Sequence, residues 1–287
     1  MNFEVLIASS IDGLTLGFVF GLMAMGLTLI FGVMKVINLG HGPFIVMGMF
    51  AVLVMSKDWG INPYVALPAV IVLGVVTGIV AYFVAVHRVI NAPELTTLLA
   101  TFSVNMMLVG ALTIIFTTSP RGLDVNLGTL FQLGTITVLG TRVVAVLIAL
   151  LVTGALYFFL YRTHIGKSIR AVANNRAAAE LMGINSTWIL ALSFGVGTML
   201  AMVAGSLLAT LFGFTVLSGG SLETKSFVIV VLGGLGNPTG ALLGGIIIGL
   251  LESITTIFMP VSWVPVFEFV VFILILLFRP NGILGAR

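Results

Sequence analysis

The chain has 287 residues, of which 60% are hydrophobic and 7% are charged, whereas about a quarter of an ordinary soluble domain is charged. This composition excludes a soluble globular protein, and a net charge of +3 spread over span ends is no nucleic-acid-binding surface. The absence of cysteine excludes disulfides and thiolate chemistry. Because Glu4 and Asp12 stand where a secretion signal has basic residues, we expect the first apolar segment to be retained.

The first half of the chain predicts four membrane segments. An α-helix needs about 20 apolar residues to cross a bilayer, and no alternating pattern of about ten residues repeats as it would in a β-barrel. Gly13, Gly17 and Gly21 recur every four residues in the first segment, which predicts a face for close helix packing. The predicted segments are residues 11–33, 38–55, 64–86 and 93–117.

The second half predicts a longer loop and further helices. Residues 118–141 are rich in Gly and Thr with short β-like runs, and we expect them outside the cytoplasm. Glu223 and Lys225 are predicted in an outer loop, before an apolar run at 227–235 that is too short to cross alone. The other predicted segments are 143–161, 188–212, 239–258 and 262–278.

The predicted fold is an all-α integral membrane protein. It is a polytopic helical bundle with about eight to nine membrane segments, including discontinuous or short helices and a cytoplasmic coupling helix. Residues 1–287 are expected to form a single transmembrane domain, and residues 162–187 a cytoplasmic loop within it.

Residues 162–185 form a long polar interruption with helical character. It contains four basic residues and one acidic residue, Glu180, and cytoplasmic loops carry an excess of Lys and Arg. Asn175 is a favourable N-cap for a helix from Arg176 to Met182, and Gly183 suits the left-handed position after its last turn. We therefore expect a short, separately capped cytoplasmic helix.

The distribution of charge supports an alternating topology with the N-terminus outside. Eight basic and two acidic residues then fall on inner loops, and four basic and five acidic residues on outer loops. The inner residues are Lys35, Arg88, Arg162, Lys167, Arg170, Arg176, Arg279 and Arg287 with Glu94 and Glu180. The outer residues are Lys57, Arg121, Arg142 and Lys225 with Glu4, Asp12, Asp58, Asp124 and Glu223.

Nothing in the sequence predicts catalysis, a bound metal or a cofactor. Gly166-Lys167-Ser168 resembles the end of a phosphate-binding P-loop, but Tyr161 stands where that loop requires glycine. None of the three histidines has a second histidine or a carboxylate at metal-binding spacing. We therefore expect that the chain is not an enzyme and has no nucleotide site of its own.

Two Gly/Pro interruptions, at residues 38–43 and 233–238, fall one in each half of the chain. Irregular backbone at membrane depth is tolerated where it lines a cavity or is buried in protein, so paired breaks indicate a translocation pathway, with tight helix packing as the alternative. His41 either lines that pathway or satisfies backbone groups freed by the break. Glu252 and Glu268 lie in apolar segments and are either functional acids or residues near the outer interface.

Several motifs resemble the permeases of branched-chain amino acid ABC transporters, over nearly the whole chain. The first-to-second-helix signature, the ATPase-docking loop, a glycine-rich motif and a terminal motif occur in the family's order. The family often has Ala where Gly40 stands and Pro where Arg176 stands. Neither difference changes the expected fold, and Arg176 is expected to alter how the docking helix meets its ATPase. The matching stretches are 26–33, 36–42, 170–175, 178–184, 232–242 and 278–282.

The resemblance implies an importer in the cell inner (plasma) membrane. A second homologous permease, two cytoplasmic ATP-binding subunits and a soluble substrate-binding protein would be its partners, and alternating access its mechanism. The ATPase-coupling residues would be Arg170, Asn175, Arg176, Ala178, Ala179, Glu180, Leu181 and Gly183. We predict a translocation pathway bordered by Asn38, His41, Gly42, Thr101, Asn105, Gly233, Gly234 and Gly236.

Two alternatives remain open at the level of sequence. A permease of the same family for urea or short amides would show the same motifs. An ion-coupled secondary transporter would need ionisable residues deep in the bundle, where only Glu252 and Glu268 are predicted.

Overall fold

The computed structural model describes residues 3–125, 127–133 and 136–285. Met1, Asn2 and Arg287, which enter the predictions on the N-terminus and on charge, lie outside these ranges. Eleven α-helices and one hairpin occur in the described part. They are α1 Phe3–Met34, α2 His41–Lys57, α3 Leu67–Ala81, α4 Glu94–Phe116, β1 Thr129–Leu133, β2 Ile136–Leu139, α5 Gly140–Arg162, α6 His164–Asn174, α7 Arg176–Leu181, α8 Ser186–Ala209, α9 Ser218–Gly233, α10 Pro238–Phe258 and α11 Val264–Phe278.

Seven helical segments of the described chain are long and apolar enough to cross a membrane. They are α1, α3 with the π-helical turn Tyr82–Val86 that continues it, α4, α5, α8, α10, and α11 with the 3-10 turn Val261–Trp263 that precedes it. Two shorter helices, α2 with 17 residues and α9 with 16, complete the bundle. The predicted helical membrane protein is confirmed. The hairpin of β1 and β2 is an addition to the all-α prediction and lies in the loop with predicted β-like runs.

Helices α1 and α8 form the centre of the bundle. In the most apolar stretch of 18 residues, 78% of the residues of α1 and 83% of those of α8 are buried, against 11% in α4 and in α11. Gly17 of α1 lies so close to α10 that a Cβ at this position would be 2.7 Å from the Cα of Ile246. Gly13 and Gly21 face Gly249 and Leu242 in the same antiparallel register. The glycine face predicted in the first segment is therefore a helix-packing face.

Most predicted boundaries lie within three residues of those in the structure, and the larger differences are at the starts of α1 and α9. Helix α1 begins at Phe3 rather than near Ile11, and α8 ends at Ala209, three residues before Phe212. The largest error concerns α9, which begins at Ser218, so the prediction of Glu223 and Lys225 in an outer loop is wrong. The polar sequence of residues 218–225 suggested a loop, but it is helical because its charged side chains have partners inside the bundle.

The two ends of the bundle differ in composition. Helices α6 and α7 lie at one end, where Arg176 donates a hydrogen bond to Asn91 in the loop before α4. At the same end, Tyr157 of α5 forms a hydrogen bond with Thr239 of α10. At the other end, Arg142 forms an ion pair with Asp12. The end that contains α6 and α7 is the polar-helix end.

Candidate functional site

Helices α6 and α7 each have an N-cap side chain that accepts a hydrogen bond from a backbone amide of the first turn. Thr163 Oγ1 accepts a hydrogen bond from Gly166 N (3.0 Å), and Asn175 Oδ1 accepts one from Ala178 N (3.0 Å). Gly183 follows α7 with φ = 82°, a left-handed conformation that glycine adopts without steric cost. The caps predicted at Asn175 and Gly183 are present, and the polar segment is two short helices rather than one.

Arg176 connects α7 to two other parts of the bundle. Its guanidinium donates to Glu180 Oε1 (3.0 Å), to Ser186 Oγ at the start of α8 (3.2 Å) and to Asn91 Oδ1 before α4 (3.2 Å). Ser186 Oγ also donates to Glu180 Oε1. The hydrogen bonds from Ser186 and Arg176 lower the pKa of Glu180, so its carboxylate stays ionised and keeps α7 attached to α8.

Helix α7 exposes apolar side chains although it belongs to a polar segment. Leu181 is 89% exposed and Met182, directly after the helix, is 82% exposed. Ala178 and Glu180 are also exposed, whereas Ala179 faces the bundle and is 5% exposed. Arg170 of α6 stacks over the ring of Tyr161, with 4.7 Å between its guanidinium carbon and the ring centroid. Of the predicted coupling residues, Ala179 is buried and Arg176 is half-buried, and the others are exposed at the polar-helix end: Arg170, Asn175, Ala178, Glu180, Leu181 and Gly183.

The first break lies earlier in the chain than the predicted 38–43: residues 35–40 form a non-helical linker from the end of α1 into the bundle, and residues 41–43 already belong to the first turn of α2. Lys35 and Ile37 of this linker are exposed, whereas its residues 36, 38 and 40 are buried. Asn38 is 1% exposed and His41, at the start of α2, is fully buried. Leu39 N donates to Thr101 Oγ1 (3.2 Å), which itself donates to Ile37 O (3.1 Å), and Asn105 Nδ2 donates to Leu39 O. The structure thus brings the predicted residues of α4 to the first break.

Glu223 of α9, predicted in an outer loop, lies at the same break and contacts both α2 and α4. Its Oε2 accepts hydrogen bonds from Gly42 N in the first turn of α2 (3.1 Å) and from Asn105 Nδ2 (3.1 Å). A helix N-terminus favours an anion, which stabilises a carboxylate buried at this position. The sequence contains no local signal for this contact, because Gly42 and Glu223 are 181 residues apart.

His41 contacts the helix that precedes the break. Its Nε2 donates to Met23 O of α1 (3.0 Å), while within the described chain its Nδ1 and the Nδ2 of Asn38 are buried without a hydrogen-bond partner. His41 therefore satisfies a backbone carbonyl of a neighbouring helix. Glycine at position 42 is required by packing, because a Cβ there would overlap Gly219 of α9.

The second break packs against the C-terminal segment and is separate from the first. Gly234 and Gly236 have φ values of 106° and 83°, and Gly233 contacts Gly240. Ile283 N donates to Leu232 O (2.8 Å) and Leu284 N to Gly233 O (3.1 Å), so the terminal segment satisfies carbonyl groups at the end of α9. Gly236 also approaches Gly32 near the end of α1.

Glu252 and Glu268 form a charge cluster with Lys225. The ammonium of Lys225 lies 2.5 Å from Glu252 Oε2 and 3.1 Å from Glu268 Oε1, and 4.4 Å from the ring centroid of Phe20. The three charged side chains come from α9, α10 and α11. Within the described ranges, no group of three or more His, Asp or Glu side chains could hold a metal ion.

The chain is similar to known transport proteins. Residues 9–278 match the family model for the permease component of branched-chain amino acid transport systems. A high-affinity branched-chain amino acid transport system permease protein, LivH of Escherichia coli strain K12, is 30% identical over 96% of this chain and 94% of its own length.

Two further relatives have the same level of identity. BraD of Pseudomonas aeruginosa, another high-affinity permease protein for branched-chain amino acids, is 30% identical with the same coverage. A probable LivH of Methanocaldococcus jannaschii is 30% identical over 92% of this chain and 88% of its own length. No solved structure matches the chain. By the extent of these matches, the chain belongs to the permease component family of branched-chain amino acid transport systems.

Proposed function

We propose that this multi-pass inner-membrane protein is the permease subunit of an ABC importer for branched-chain and other hydrophobic amino acids. Its family is a transport family and not an enzyme family, and permeases of this kind work with ATPase and substrate-binding partners. We propose a second related permease, two ATP-binding subunits and a soluble binding protein. The substrate is supported by the names of the relatives, which are branched-chain amino acid permeases.

The observation that carries this proposal is the exposed apolar surface of α7. Leu181 and Met182 project from a capped helix outside the membrane-spanning segments, where water would disfavour them without a partner protein. We place this helix in the cytoplasm, within the loop 162–187 of a single domain 1–287, because of the excess of basic residues. In this arrangement α2 and α9 are additional partial crossings, which gives nine membrane segments.

The proposed mechanism is alternating access. Closure of the ATPase pair would displace α7, and Arg176 would transmit this displacement to α8 through Ser186 and toward α4 through Asn91. Helix α4 carries Thr101 and Asn105, which hold the linker before α2. Each movement of α4 would therefore reposition one wall of the pathway between the two breaks.

The pathway residues remain those of the two breaks together with Thr101 and Asn105. A bulky substitution at Gly42 or Gly234 would not distinguish a role in the pathway from a role in packing, because a Cβ at either position would contact neighbouring backbone. The ion-coupled alternative is not favoured: Glu252 and Glu268 share an ion-paired cluster with Lys225, and the relatives are named as branched-chain amino acid permeases.

Uptake by the reconstituted importer tests the proposed function. Proteoliposomes that contain this chain with its partner subunits and binding protein should accumulate L-leucine, L-isoleucine and L-valine only with ATP inside the compartment that holds the ATPases. Urea and acetamide in excess should not compete, because the relatives' substrates are amino acids. Competition by urea with no uptake of leucine would instead support the amide permease.

A further inference from the structure

A cavity of about 500 Å³ lies between α1, α4 and α9 and extends from the first break to the second. This volume falls within the roughly 300–1,000 Å³ of typical small-molecule sites. Ile37 of the linker before α2 and Leu235 of the second break both contribute to its lining. Six further apolar residues form its walls: Leu27, Phe31, Leu98, Phe227, Val230 and Val231.

Two opposite charges belong to the lining of this apolar cavity. Lys35 follows the C-terminus of α1, and Glu94 is the first residue of α4. Both side chains are exposed, and within the described part of the chain neither has an oppositely charged group within 4.0 Å. Lys35 follows the carbonyl end of α1 and Glu94 lies at the amide end of α4, the helix ends at which a basic and an acidic side chain, respectively, interact favourably with the helix dipole.

The backbone of Lys35 is held in an unusual conformation. Its φ is 57°, in the left-handed region that residues with a Cβ adopt uncommonly, and Thr117 is the other such residue among the described non-glycine positions. Conformations of this kind cluster at ligand-binding positions, where the surrounding structure imposes them. Here the left-handed turn ends α1 and starts the linker on the edge of the cavity.

We propose that this cavity is the substrate site of the permease at the polar-helix end, and that it binds a zwitterionic amino acid with an apolar side chain. Lys35 pairs with the α-carboxylate and Glu94 with the α-ammonium, while the walls enclose the side chain. A ligand with one positive and one negative group on an apolar body matches this distribution of charge and surface. This inference rests on the proposed function and adds the residues that recognise the substrate.

Three substitutions in the reconstituted importer test the site. Lys35→Gln and Glu94→Gln each remove one charge-assisted contact and should lower the initial rate of leucine uptake about ten-fold, the size expected for such a contact. Leu98→Trp fills the cavity and should lower leucine uptake more than valine uptake. This change in the leucine-to-valine ratio is the readout that a damaged fold would not produce, because the same binding protein delivers both substrates.

Leu99→Trp is the matched control. Leu99 is the next residue of α4, is 57% exposed and does not line the cavity, so this variant should transport like the unmodified importer with an unchanged ratio. If Leu98→Trp fails to co-purify with the ATPase subunits, leucine uptake by Lys35→Gln and Glu94→Gln decides whether the cavity binds the substrate. These two side chains are exposed, so they can be replaced without leaving a cavity in the fold.

Two outcomes would overturn the inference. Uptake within two-fold of the unmodified importer in both charge variants would exclude Lys35 and Glu94 from substrate recognition, while the proposed function would stand. If the unmodified importer accumulates neither leucine nor valine with ATP, the proposed function is wrong, and the inference that rests on it is wrong as well.

Discussion

Lys225 joins three helices through one ammonium group. Its side chain is 13% exposed, that of Glu252 is 22% exposed and that of Glu268 is 7% exposed, so the cluster is largely shielded from water. Burying charges is tolerated when they are paired, but removing one partner leaves the others uncompensated. In this cluster a single ammonium is shared by two carboxylates, so Lys225 is the position whose loss leaves the most unpaired charge.

We expect Lys225→Met to lower the free energy of unfolding by about 3 kcal/mol or more, the usual cost of breaking a buried ion pair. Thermal unfolding of the purified permease in detergent measures this. The triple variant Lys225→Met, Glu252→Gln, Glu268→Gln should recover much of the loss, because no unpaired charge remains. Lys57→Met, at an exposed position at the end of α2, is the control. Equal stability of Lys225→Met and Lys57→Met would contradict this assignment.

At the scale of elements, the contact of α1 with α10 depends on glycine. The two helices cross antiparallel, with Gly13, Gly17 and Gly21 of α1 against Gly249, Ile246 and Leu242 of α10. Inside the bilayer the hydrophobic effect does not drive two helices together, because lipid tails are as apolar as the side chains. Close approach of the two backbones therefore supplies the packing energy. A side chain at this contact would force the helices apart.

Gly17→Ala should therefore destabilise the bundle by about 1–3 kcal/mol, the range for overpacking a well-packed core. Gly154→Ala on α5 is the matched control, because a Cβ there meets no atom within 4 Å. That variant should be neutral or stabilised by up to about 1 kcal/mol, since alanine restricts the unfolded chain. Thermal unfolding of the two variants side by side gives the comparison, and equal effects would show that the α1–α10 contact tolerates added volume.

For the whole molecule, the orientation and the coupling surface can be tested together. Cysteine introduced at the exposed Ala178 should be labelled only from the cytoplasmic side and should form crosslinks to the ATPase. Cysteine at Ala179, which is 5% exposed, is the accessibility control and should react slowly. Labelling of position 178 from the outer side would invert the topology and exclude the proposed mechanism.

Leu181→Asp extends this test to affinity. A charge on the apolar surface of α7 should abolish co-purification of the ATPase subunits, because the interface would bury an unpaired carboxylate. Leu217→Asp is matched in residue type and is also exposed (64%), but it lies at the start of α9, away from α7. It should leave co-purification unchanged.

The sequence by itself determined the features that depend on neighbouring residues. Apolar runs of sufficient length define most membrane helices, and the caps at Asn175 and Gly183 act within four residues, so both are readable from a single chain. A break before α2 is also visible in the sequence, because Asn38 and Gly40 disfavour a helix, but Pro43 lies in the first turn of α2 and not in the linker.

Only the tertiary structure decided where polar side chains inside the bundle find partners. Glu223 accepts a hydrogen bond from Asn105, which is 118 residues away in the sequence. Lys225 forms ion pairs with two acidic residues on two other helices. A polar stretch with such partners is stable as a buried helix, and the same stretch without them would be a loop. Long-range pairing leaves no periodicity in the sequence, and for this reason α9 was predicted too short and the cavity beside it was missed.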